Sequence, residues 1–276
     1  MTRSLIRAGF AAGVAAAIAS TAVEAQNAIY KAPTPADWAA LAKLPDFSGV
    51  WEIGRAPAPA AAPGGAAGRE GGAPGRAGGA GRGAAPAGPQ LTPAAEAKRK
   101  ELGAKVVQDS ETANCLPPGM PGIMGQPYPM EFLLTPGKVT IVIEAYQQVR
   151  HIYTDGRPLP EDPDPKFHGT SIGHWEGDTL VVETVGFSPL TEIARNVPHG
   201  DKMRIVERFR LADPDTMNIE TTITDPDVLA APFTSARTLR RHRNWTTAEY
   251  ICEENNRNYV DSTGKAGIRL DAPAQK

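Results

Sequence analysis

Cysteine is nearly absent from this chain of 276 residues: Cys115 and Cys252 are its only two. That excludes CxxC redox chemistry and a cysteine-built zinc site. No apolar stretch reaches the roughly 20 residues that a membrane-crossing helix requires. Charge of one sign is also lacking, with 29 basic residues against 31 acidic ones. This near balance argues against a general nucleic-acid binder. GxSxG, a Walker A loop, GxGxxG before a helix, HExxH and HxH are all missing. The common hydrolase, nucleotide, dinucleotide and zinc sites therefore have no support, and neither a metal nor a cofactor is expected. The acidic run IYTDGRPLPEDPDP is too rich in proline for an EF-hand, and it lacks the closing glutamate.

What is present begins with a leader. Arg3 and Arg7 precede an apolar run from Ala8 to Ala19, and Val23-Glu24-Ala25 follows. This order is that of a secretory signal peptide over residues 1–25, cut after Ala25. With no cysteine beside the cut, a soluble periplasmic or secreted protein is expected, without stable membrane insertion. Without the leader the balance is 27 basic to 30 acidic residues. In an oxidising compartment Cys115 and Cys252 are expected to form one disulfide.

Composition divides the remainder. Residues 26–54 hold a first strand near Phe47–Ile53. Residues 55–90 are nearly all Ala, Gly, Pro and Arg, with no side chain large enough to offset ordering entropy, and are expected to be a disordered insertion. Residues 91–129 hold a helix over 93–106, with Thr92 as N-cap and Pro93 at its first position, then an extended arm, NCLPPGMPGIMGQPYP. From Met130 to residue 260, short β-branched and aromatic runs alternate with turn signals. They predict strands near 131–135, 138–146, 148–154, 171–176, 179–187, 203–212, 216–224, 233–242 and 247–253. Residues 261–276 read as a flexible tail. The fold class is mainly β: an antiparallel β-barrel, with a β-sandwich as the alternative.

The stretch GHWEGDTLVVETVGF, residues 173–187, reads as a hairpin. Glu176-Gly177-Asp178 forms its turn, with both carboxylates in solvent.

Alternation singles out candidate site residues. In MRIVERFRL, Glu207 shares a face with Met203, Ile205, Phe209 and Leu211. A carboxylate on an inward face must be paired, protonated or bound to ligand. Arg237, on a nearby strand, could pair with it. In KVTIVIEAYQQVRHIY, His151 and Tyr153 fall with Val149 on the side of Val139, Ile141 and Ile143, unless a turn at Gln147-Gln148 reverses the faces. An inward His151 could carry protons. Glu207 and His151 are thus the candidate catalytic pair. Tyr153, His168, His199 and Arg237 are candidate ligand contacts.

Several phrases together carry a resemblance: DFSGVWE, NCLPPGMP, PYPMEFLLTPGKV, HIYTDGRPLPEDPDP, GHWEGDTLVVETVGF, PHGDKMRIVERFRL and EYICEENNR. They resemble a family of exported bacterial proteins that has no assigned activity, so no catalytic residue carries over. Relatives often have histidine or tyrosine where this chain has Thr170, with His168 close by. Gly49-Val50-Trp51 also resembles the GxW opening of lipocalin-like barrels, where the tryptophan closes one end. Such a barrel can enclose one small ligand. Three functions stay open: an exported barrel that binds a small organic molecule in its interior, a cofactor-independent lyase, isomerase or hydrolase using an internal Glu/His pair, and a structural accessory protein of the envelope.

Overall fold

The computed structural model describes residues 32–54, 88–104, 115–252, 258–260, 262 and 266–268. The expected leader, positions 55–87 of the insertion and most of the tail lie outside them. The chain divides into two units, residues 1–43 and 44–276. In the first, helix α1 (Pro35–Leu41) starts from a reciprocal cap: the Thr34 hydroxyl accepts the Asp37 N–H, and the Asp37 carboxylate accepts the Thr34 N–H. The sequence reading had no helix here.

The second unit opens with β1 (Gly49–Ile53) and helix α2 (Pro93–Ala104). The strands β2 (Met130–Thr135), β3 (Lys138–Ile143), β4 (Gln148–Tyr153), β5 (Thr170–Glu176) and β6 (Thr179–Val185) follow. A small hairpin, β7 (Glu192–Ala194) and β8 (Val197–Pro198), precedes the long strands β9 (Arg204–Asp213), β10 (Thr216–Thr224) and β11 (Phe233–His242). Last come the paired strands β12 (Asn258–Val260) and β13 (Ala266–Ile268). Nine strands close into a barrel in the order β1-β11-β10-β9-β6-β5-β4-β3-β2. The expected barrel is therefore present. All its neighbours are antiparallel except β4 and β5, which run parallel.

Closure depends on β1, which pairs with both β11 and β2. The phrase DFSGVWE explains how so short a strand holds its place. The indole N–H of Trp51 donates to the Phe47 carbonyl at 2.9 Å, and Trp51 is fully buried. The Arg241 guanidinium lies 4.5 Å from the Trp51 ring centroid and donates to the Asp46 carbonyl. Edge-on aromatic contacts continue inward from Trp51 to Phe132 and from Phe132 to Phe209. Each such pair contributes about 1 kcal/mol beyond the area it buries.

Because β1 occupies the edge of β11, no place remains in the barrel for a strand at 247–253. That expectation is corrected: residues 246–251 have no regular structure. They form an arm instead. Glu144 accepts the Ala248 N–H at 2.8 Å, and Tyr250 packs between Tyr128 and Tyr146. The expected disulfide joins Cys252 to Cys115, with their Cα atoms 5.7 Å apart. Beyond Cys115, Met120, Ile123 and Met124 enter the core. Gly119, at φ +63°, has no alternative there, since a Cβ would lie 2.2 Å from Thr191 Cγ2 and 2.7 Å from the Phe167 carbonyl.

The hairpin of β5 and β6 turns at Gly177, φ +62°. Glu176 and Asp178 point outward and bind Arg208 and Arg210 of β9. These exposed pairs contribute little.

The disulfide closes 137 residues of separation. Replacing both cysteines by serine should cost about 3–5 kcal/mol. Differential scanning calorimetry should then show a melting temperature lower by on the order of 10 °C.

Candidate functional site

The interior face of β9 alternates as its sequence implies: Ile205, Glu207 and Phe209 are buried, while Arg204, Arg208 and Arg210 are exposed. Glu207 is therefore a carboxylate inside the barrel, 1% exposed. Its partner is Arg150 of β4, also 1% exposed, rather than Arg237. Arg150 grips it with both terminal nitrogens: Nη1 donates to Oε1 at 3.2 Å and Nη2 donates to Oε2. Nη2 also donates to Thr184 Oγ1 at 3.1 Å and lies 3.4 Å from Ser171 Oγ. Ser171 and Thr184 are bonded to each other at 2.9 Å. Arg150 Nε is buried with no hydrogen-bond partner.

Arg150 points inward because the chain reverses faces before β4. Val139, Ile141 and Ile143 of β3 are buried. The turn that follows places Tyr146 and Gln147 at φ +57° and +49°. This shifts the inward set from odd to even positions, so Arg150 and Ile152 face the core. Val149 (46% exposed), His151 and Tyr153 face outward. The inward-facing possibility for His151 and Tyr153 thus gives way to the reversal.

Those outward residues form one side of a cleft. β4 and β5 share only two register pairs, Ile152 with Ser171 and Tyr153 with Ile172. β5 begins only at Thr170, and before it the segment 166–169 meets β4 through His168, which reaches Gln148. The result is a cleft of about 390 Å³ walled by Val149, Tyr153 and Phe167, with His151 and Lys166 beside them and His168, Gly169 and Ser171 at its base. Ser171 belongs both to the cleft and to the cluster around Arg150, so the cleft lies directly outside the buried ion pair.

His168 is the titratable group at the base. Its Nε2 lies 3.1 Å from the Gln148 amide oxygen, to which it donates, leaving a lone pair on Nδ1. Nδ1 is buried without a partner. Burial, and second the nearby Arg150 cation, lower the pKa of His168 to about 4. His151 bonds Thr140 at 3.3 Å, and burial together with Lys138 lowers its pKa as well. Both rings are therefore neutral near pH 7.

The other candidates lie apart from the cleft. Both ring nitrogens of His199 face backbone carbonyls, of Gly200 at 2.9 Å and Ser188 at 2.8 Å, and its ring packs on Phe187. Arg237 is mostly buried on β11. Burial lowers its pKa against the attraction of Glu207, its Nη1 has no partner, and Gly125 lies beside it. Glu207 and His151 sit on opposite sides of the barrel wall. Among the described residues no group of three or more His, Cys, Asp or Glu could hold a metal ion. No helix among them is long and apolar enough to cross a membrane. Lys166, Gln148, Ser171 and Thr184 were not among the sequence candidates. Only Arg150, as a charged residue within a β pattern, carried a signal.

No protein-family model and no curated protein matches the chain.

The His168 shift has a defined sign. The unfolded chain protonates this ring near pH 6.5 and the folded protein only near 4. Stability is therefore lost as pH falls from 6.5 through about 4. His168→Gln should remove a loss of about 2–3 kcal/mol over that window. Urea unfolding of both proteins at pH 7 and pH 4 measures the difference.

Proposed function

We propose that this chain is an exported protein that binds a small organic molecule in the cleft beside the β4–β5 seam. The single observation that carries this reading is the cleft itself. Val149, Tyr153 and Phe167 give it apolar and aromatic surface beside several polar side chains, and its volume of about 390 Å³ falls in the range of ligand sites. The ligand would lie against the outer wall of the barrel rather than in its interior, next to Ser171 and the rigid cluster behind it.

The disulfide supports an oxidising compartment, and the basic–apolar–small order of residues 1–25 supports export. Membership of the exported family whose phrases the chain carries is part of the same proposal. Binding is favoured over catalysis by the placement of charge. Glu207 is held by Arg150 inside the wall, while His151 lies outside it. A general base needs hydrogen-bond reach to its substrate, and an enclosed, doubly gripped carboxylate lacks it.

The test uses the chain from residue 26 onward, mixed with a small-molecule extract of the source's growth medium and followed by LC–MS. A compound retained at equimolar protein, unchanged at trace protein, and no longer retained by Val149→Trp is the expected result. Val149 is exposed, so the larger side chain fills the cleft without disturbing the core. Conversion of a compound at trace protein, or retention unaffected by Val149→Trp, would overturn the reading.

A further inference from the structure

We infer that the cleft takes an organic anion, a molecule with a flat apolar body and a carboxylate or similar acid group; the inference rests on the cleft being the ligand site proposed above. The charges around it point one way. Lys166 lines the cleft, and no Asp or Glu does. Lys138 stands on the adjacent strand, in register with Tyr153 on the outer face of the wall.

Among the described residues, neither lysine has a carboxylate within 4 Å. Lys166 reaches only the Thr170 hydroxyl, at 3.5 Å. Two neighbouring carboxylates are occupied by arginine, and Glu161, Asp162 and Asp164 of the crossover are not among the lining residues. Glu207 is held by Arg150 inside the wall, and Asp155 is bonded by Arg157, whose guanidinium lies 3.8 Å from the Tyr153 ring centroid.

Burial is the main cause of the lowered pKa values of His151 and His168, and the smaller charge contributions, from Lys138 and Arg150, are both cationic. Val149, Phe167 and Tyr153 offer the apolar surface for the body of such a molecule. Two ammonium groups without a carboxylate partner, Lys166 in the cleft and Lys138 opposite Tyr153 on the next strand, complement an anion, whereas an amine in the same place would meet like charge.

Two fluorescent probes separate the charge from the shape. 1-Anilinonaphthalene-8-sulfonate is an anion, and N-phenyl-1-naphthylamine has the same ring framework without the sulfonate. The sulfonate probe should bind at least about tenfold tighter at low salt. Lys138→Gln with Lys166→Gln should bring the two probes within about threefold of each other, while Lys98→Gln on α2 should leave the gap unchanged. Val149→Trp should weaken both probes. Equal binding of the two probes to the unaltered protein, or a gap that survives the double lysine change, overturns the anion inference and leaves the cleft reading standing. Failure of both probes to bind, or binding that Val149→Trp does not weaken, overturns both.

Discussion

A charge pair enclosed within the barrel, Arg150 with Glu207, is the constraint to which the surrounding structure conforms. Two ions removed from water carry a desolvation cost that close, well-bonded geometry offsets. Here a bidentate grip, with Thr184 and Ser171 beside the same guanidinium, supplies that geometry. The pair links β4 to β9 across the interior, and the two hydroxyls tie in β5 and β6. This matters most at β4 and β5, where the ladder consists of two register pairs. Little backbone pairing holds that side of the barrel, so the buried cluster has the larger part in fixing it.

The cleft follows from the same arrangement. A parallel pairing needs a long crossover, here residues 154–169, and the crossover returns alongside the free edge of β4. His168 is thereby set in the cleft close to Arg150, and its burial first, then that cation, keep its ring from protonating. The far side of the barrel is built differently. There the short β1 is fixed by Trp51 under Arg241 and by contacts that reach the centre of the core. One side is closed by packing and continuous ladders, and the other by an ion pair.

Much of this was legible in sequence, and the exceptions have physical causes. The alternation of MRIVERFRL placed Glu207 inside because nothing interrupts the period of two in β9. The partner was missed because two non-glycine residues, Tyr146 and Gln147, take positive φ and reverse the faces before β4 without an ordinary turn signal. Residues 247–253 have a strand's composition, but a strand also needs a vacant edge, and β1 fills it from nearly 200 positions away in sequence. The cap of α1 was readable in Thr34-Pro35-Ala36-Asp37. The cleft was not, since it arises from where two strands cease to pair, which no local pattern encodes.

The most direct measurement is a double-mutant cycle on the enclosed pair, using Arg150→Met, Glu207→Leu and both together, read by urea unfolding. If the two residues act as one unit, each single change strands a buried charge and costs about 3–5 kcal/mol, while the double change costs far less than their sum. Losses that simply add would mean that the pair does not hold the β4–β5 side of the barrel, and would contradict the central role given to it here.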